Sequence, residues 1–332
     1  MSTAPLDIRE IVPGVIALET LFWGKKLNLY LFTGDGSLLC DAGAAGMPTE
    51  FILPNLGRIK PPVQLRYLLN AHSHIDHFGG NAEFRRRFPE LVILAHAKEM
   101  ELIADHEKQY RIIYDRWTAL FQFDEKFHKE CIELSGDNVG PDMGLQGDEI
   151  VDLGGRAVRV INLPGHSFGD IGVYDAADKV LFSGEALLGE GARNDAGEIV
   201  APPYYENAQD CYTTIQTVQN LDIRYLCTSH FGVLEGEAIQ THLNECLDFF
   251  NRYEQDVLAV VKAAGKKGVS AEEAARQYAE KYSPFEFRLE TMQLVSTHLD
   301  YLEEKGFVRR QQGRFVIADD GPALRRKDMG KT

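Results

Sequence analysis

No apolar run in this 332-residue chain approaches the length of a membrane helix, which takes about 20 residues. The N-terminus "MSTAPLDIREIVPG" carries acids and proline where a secretion signal needs an apolar stretch. Cysteine is scarce and scattered: Cys40, Cys131, Cys211, Cys227 and Cys246 include no CxxC pair, a pattern of reduced thiols in a cytosolic protein. Basic residues are short as well. Lys and Arg number 35 against 50 Asp and Glu, for a formal charge of −15, which argues against a general nucleic-acid binder because phosphate affinity rests on Lys and Arg. Residues 305–332 alone carry +5, leaving −20 on the remainder. These shortages predict a soluble cytoplasmic protein with no membrane partner.

What remains is ordinary for a globular protein, with 44% hydrophobic and 26% charged residues. Short β-type runs separated by turns fill the first half: "GVIALET", "LNLYLFTG", "SLLCDAG", "LRYLLNAH" and "LVILAH". A second set follows at "RAVRVINLPGH", "IGVYD", "KVLFSGE" and "IRYLCTSH". Helical segments fall between some of these, near 81–88 and 208–220. The pattern predicts a layered α/β protein rather than a simple βαβ repeat. Residues 98–128 interrupt it with Met100, Ile103, Ile113, Trp117 and Leu120 at helical spacing, read either as a helix pair on the body or as a wall over a site.

The last third changes character. Ile239, Leu243, Leu247, Phe250, Val257 and Val261 recur at helical spacing before a stop at Gly265. Ser270 with Glu273 has the form of a capping box. A third helix runs to Gly306, and "FVRRQQGRFVIA" reads as a hairpin turning at Gly313. The order is that of a winged-helix module. We therefore expect a catalytic domain over 1–235 and a helical, winged-helix-like region over 236–332. Acidic residues on the third helix suit packing or homodimerisation better than a DNA groove.

The densest chemistry is "NAHSHIDHFGG", residues 70–80, with three histidines and an aspartate in six positions. Alternate side chains of an extended segment project to one side, so His72, His74 and Asp76 can face together, with His77 following at the turn. Imidazoles and carboxylates so spaced suit zinc or iron. One segment cannot complete a metal site, and further candidates stand at other strand ends: His166 in "LPGHSFGD", Glu185 in "LFSGEALLGEG" and His230 in "CTSHFG". His96, His106, His128, His242 and His298 are left to surface or packing.

From "LLCDAG" through H-x-H-x-D-H, "PGHS" and "LFSGE" to the last strand ending in His, the chain resembles the metallo-β-lactamase superfamily over residues 10–235. The resemblance implies an αββα sandwich with metals at one edge of the sheets. It implies that His72, His74 and His166 bind one ion, that Asp76, His77 and His230 bind a second, and that Asp41 orients a ligand. Two-metal relatives usually bridge their ions with aspartate, where this chain has Glu185; a bridging Glu185 is the expectation.

Two divalent ions, zinc foremost with iron or manganese as alternatives, would generate hydroxide for attack on a carbonyl, with Asp76 orienting it. Such a site needs no serine or cysteine nucleophile. The leading expectation is a hydrolase of an ester, thioester or lactone acting on a small acyl substrate. Tyr204, Tyr205 and Trp117 are its candidate substrate contacts. An RNA endonuclease of the same fold, drawing on "RRQQGR" and "LRRKD" for phosphate contacts, is one alternative. A low-turnover sensor or partner-binding protein is another, and a mononuclear iron dioxygenase shares much of the motif.

Overall fold

In the computed structural model, residues 7–194 and 196–318 are described. Two sheets face each other. The first has seven strands in chain order: β1 (Asp7–Val12), β2 (Val15–Phe22), β3 (Lys25–Thr33), β4 (Ser37–Cys40), β5 (Leu65–Leu69), β6 (Val92–His96) and β7 (Met143–Leu145). Hairpins join β1 to β4 antiparallel, and β4 to β7 run parallel. The second sheet comprises β8 (Ile150–Asp152), β9 (Ala157–Asn162), β10 (Ile171–Asp175) and β11 (Val180–Phe182). After a short ribbon of β12 (Ala192–Arg193) and β13 (Ile199–Ala201), it is completed by β14 (Tyr225–Thr228) and β15 (Gly232–Glu235). Its order is β15-β14-β11-β10-β9-β8, with β11 and β14 parallel.

The sequence of β3 shows why the layers form. Leu27, Leu29 and Leu31 pack outward against helical residues such as Phe84, Tyr110 and Leu134. Tyr30 and Phe32 turn inward, between the sheets, with Val158, Val173 and Phe182. Period-two alternation with both faces covered makes the strand read as a continuous apolar run. On the other side, Ile161, Leu181 and Leu226 pack under Ile215, Val218, Ile239 and Leu243 from helices. The result is the αββα sandwich. Removing one inter-sheet side chain such as Phe182, fully buried, would cost about 3–5 kcal/mol.

The segment expected as a helical insertion forms helices Met100–Ala104 and His106–Ile113. A further helix, Glu125–Ser135, continues past the expected end at 128. Among the described residues, no helix is long and apolar enough to cross a membrane.

The chain divides into two compact units, up to Leu247 and from Asp248. The division falls inside the long helix Glu237–Ala264, not at its start. In the second unit a capping box on Ser270 and Glu273 opens helix Ala271–Tyr282. Helix Leu289–Glu304 follows, then a hairpin of β16 (Val308–Gln311) and β17 (Arg314–Ile317). Arg310 of the hairpin pairs with Asp300 and Glu303, and Arg314 pairs with Glu273, so these guanidiniums already have carboxylate partners. The "LRRKD" segment lies outside the described residues.

Candidate metal centre

The strand ends expected to carry donors come together at one edge of the sandwich. Beyond β5 the chain bends through His72 and Ser73 into a short helix, Ile75–Phe78, with His74 as its N-cap. Two asparagines bracket this loop. Asn70 donates to the His77 carbonyl at 2.8 Å, and Asn70 and Asn81 exchange amide hydrogen bonds at 3.0 and 2.9 Å. The glycines after Phe78 are demanded by close approach. A Cβ on Gly79 would stand 2.3 Å from the Leu134 carbonyl oxygen, and one on Gly80 2.3 Å from that of Ala42.

The donors form two sets: His72, His74, His166 and Glu185, and Asp76, His77, His230 and Glu185. Within each set the ligand atoms lie within 4.8 Å of one another. Glu185 belongs to both because its oxygens diverge. Oε2 lies 2.5 Å from His166 Nε2, 3.7 Å from His72 Nε2 and 3.9 Å from His74 Nδ1. Oε1 lies 3.4 Å from His77 Nε2 and contacts His230 Nε2.

Three of the rings are aimed by a hydrogen bond on the far side. His77 Nδ1 donates to Asp41 Oδ2 at 2.8 Å, and Asp41 Oδ1 accepts from the Ala71 amide at 2.8 Å. Asp41 does so from a left-handed backbone, φ 69°. His166 Nδ1 donates to the Tyr204 carbonyl at 2.8 Å, and His230 Nδ1 donates to the Lys26 carbonyl. Asp170 Oδ1 stands 3.7 Å from His72 Nδ1. Such partners fix the tautomer and turn the other nitrogen toward a metal.

Electrostatics follow from burial and the carboxylates that face the rings. Burial lowers the imidazoles of His72 and His74, which like-charged neighbours reinforce for His72. Burial also opposes protonation of His166, His77 and His230, but carboxylates overcome it. Glu185 lifts His166 to about 9 and raises His230, while Asp41 and Asp76 lift His77. Against its own burial, His230 and His166 hold Glu185 well below the usual carboxylate range. Burial pushes Asp170 up to about 7.

The donor set fits divalent cations. His72 is wholly buried, yet neither of its ring nitrogens has a hydrogen-bond partner among the described residues. A buried imidazole acceptor without a partner is costly unless a cation satisfies it. Five imidazoles and two carboxylates brought together in this way are able to hold metal ions.

The run "GHSFG", from Gly165 to Gly169, has the G-x-S-x-G spacing of a serine nucleophile elbow. The structure gives it another role. Ser167 is buried and its hydroxyl donates to Glu99 at 3.0 Å, while the ring of His166 faces Glu185. Among the described residues, no histidine nitrogen is hydrogen-bonded to that hydroxyl.

The candidate substrate contacts fare differently. Tyr204 sets its ring edge-on to His74, with centroids 5.7 Å apart. Its hydroxyl accepts from Arg116 at 2.5 Å and donates to Glu206 at 2.7 Å, so the phenol proton is committed to Glu206. Tyr205 is buried beside Cys211 and Cys246. Trp117 is half-buried under the Arg116 guanidinium, 5.4 Å from its ring. Asn70, Asn81 and Asp170 were not among the sequence candidates. The one local signal for Asp170 is a carboxylate four residues after His166, at the start of a strand.

Comparison with known proteins places these observations. The family pattern described as Metallo-beta-lactamase superfamily matches residues 26–230. The human protein named acyl-coenzyme A thioesterase MBLAC2 is 29% identical over 245 residues, covering 68% of this chain and 81% of the relative. An atrochrysone carboxyl ACP thioesterase from Aspergillus fumigatus is 23% identical over 236 residues, 71% of this chain and 59% of the relative. In structure, a metallo-beta-lactamase family protein from Thermus thermophilus superposes with a TM-score of 0.72 at 20% identity. That likeness covers 93% of this chain and all of the other, and concerns the fold alone.

Proposed function

The chain belongs to the metallo-β-lactamase superfamily, and from that premise we propose that it is a metal-dependent hydrolase of acyl thioesters, with two divalent cations, zinc foremost, at the edge of its sandwich. The observation that carries the binuclear reading is Glu185, whose two oxygens address different donor sets. The thioester preference leans on the names of the relatives, which share the substrate class of an activated acyl group on sulfur.

His72, His74 and His166 would hold one cation with Glu185 Oε2, and Asp76, His77 and His230 the other with Oε1. Divalent cations at such a site supply Lewis acidity and make water acidic enough to ionise near neutral pH. The chain's residues do the rest. Asp76, 15% exposed, offers a carboxylate oxygen that solvent can reach, placed to accept a hydrogen bond from the attacking water. Asp41 and the Tyr204 and Lys26 carbonyls keep the imidazoles of His77, His166 and His230 from rotating. The Tyr204 ring supplies an apolar edge beside His74, against which an acyl chain can lie. In the reaction a C–O bond forms at the carbonyl and the C–S bond breaks, giving a carboxylic acid and a thiol.

The test is thiol release from short-, medium- and long-chain acyl-CoA esters by protein loaded with zinc, then stripped by chelator, then reloaded. Release that is lost on stripping and restored by metal is expected. Undiminished release after stripping, or a metal-loaded protein inert on the whole panel, would sink the proposal.

A further inference from the structure

Three hydrogen-bonded links from the helical segment after β6 bear on the same donor set, while Ile103 and His106 pack on Phe78, beside His77 of the other set. Gln109, buried in helix His106–Ile113, donates from Nε2 to the Ser73 carbonyl at 2.9 Å, between His72 and His74. Glu99 accepts from Ser167 Oγ at 3.0 Å, next to His166. The Ser167 amide in turn donates to Asp170 Oδ2 at 2.6 Å, and the other oxygen of Asp170 faces His72 Nδ1. Arg116 grips Glu206 at 3.0 and 2.6 Å and the Tyr204 hydroxyl, and the Tyr204 carbonyl holds His166. The second set is backed from elsewhere: His77 by Asp41 after β4, and His230 by the Lys26 carbonyl in β3.

Glu99 is the least expected member. It is wholly buried, and its Oε2 has no hydrogen-bond partner among the described residues. For packing alone an uncharged side chain would serve at lower cost, since buried carboxylates are expensive. What the carboxylate does hold is the Ser167 hydroxyl, and with it the tight turn that presents Asp170 to His72.

We propose that the hydrogen-bonding side chains of segment 99–116 clamp the His72/His74/His166 donor set, with Glu99 as the main positioning residue acting through Ser167 and Asp170. The inference rests on the reading of these donors as a metal centre. It goes beyond that reading by making the two cation sites separately adjustable, one from the helical segment and the other from the first sheet. Altering the segment then retunes one ion and leaves the other in place.

Cobalt(II) titration of metal-free protein, followed by visible absorption, tests this without any substrate. His166→Ala and His230→Ala identify which binding step belongs to which set. Glu99→Gln should weaken the step lost in His166→Ala by about 10–100-fold and leave the step lost in His230→Ala within about twofold. Rescue by Glu99→Asp should be partial. Should Glu99→Gln not fold, as judged by the melting transition of the metal-free protein, Ser167→Ala removes the hydroxyl that the carboxylate holds and must give the same selective loss. Equal weakening of both steps, or of neither, overturns the clamp. A wild-type protein that gives no cobalt spectrum overturns the metal centre and the clamp together. Cobalt binding with no thiol release from acyl-CoA overturns only the substrate assignment.

Discussion

Asn70 and Asn81 bind each other through paired amide hydrogen bonds of 3.0 and 2.9 Å, both side chains out of reach of solvent, and so close the loop that carries His72, His74, Asp76 and His77. Four donors within six residues would otherwise have a flexible hinge at each end. The pair replaces that freedom with a planar clasp, which the Asn70 bond to the His77 carbonyl extends.

Asn81→Ala strips the buried Asn70 amide oxygen of its donor and should cost about 1–3 kcal/mol. Chemical denaturation of the metal-free protein measures it. The double variant Asn70→Ala/Asn81→Ala should cost less than the sum of the two single changes, because the second removes a group already stranded. Strict additivity would mean that the clasp contributes nothing as a pair.

Asp41→Asn keeps the side-chain shape, and asparagine tolerates the left-handed backbone found there at φ 69°. The change therefore removes charge without adding strain. His77 loses its carboxylate partner, and affinity for the cation in the Asp76/His77/His230 set should fall about 10–100-fold. Chelator competition reads this directly. Unchanged affinity would show that Asp41 serves the turn after β4 and not the metal centre.

Acid should destabilise the second unit through His298. Burial among Phe250 and Tyr253 lowers this imidazole to about 3, and neither ring nitrogen has a partner among the described residues. The unfolded chain binds a proton near pH 6.5 while the folded one stays neutral. The contribution is therefore intact above about pH 6.5 and declines below it by about 1.4 kcal/mol per pH unit, until the folded group itself titrates. His298→Phe should flatten the slope of stability between about pH 6.5 and 5. An unaltered slope would move the acid sensitivity to other groups.

Much of the donor cluster was legible because its signals are local. The H-x-H-x-D-H spacing marks four donors within six residues, which the structure carries on a bend and a short helix and not on an extended strand. The glycines and apolar runs mark His166, Glu185 and His230 as strand-end residues. The capping box at Ser270 and the hairpin turn near Gly313 are likewise short-range patterns, and both form. The division at Leu247 and Asp248 falls inside the helix that begins at Glu237. Its periodicity continues through that point, so composition has nothing to mark.

By itself the chain determined which side chains can be ligands and that they lie at strand ends, since backbone repeat geometry acts over a few residues. Tertiary structure alone decided what holds them. Glu99 meets Ser167 across 68 residues, Gln109 meets Ser73 across 36, and Arg116 meets Glu206 across 90. It also committed the Tyr204 hydroxyl to Glu206 and split the two oxygens of Glu185 between donor sets. Such contacts arise from how helices and loops pack on finished sheets, and no spacing along the chain encodes them.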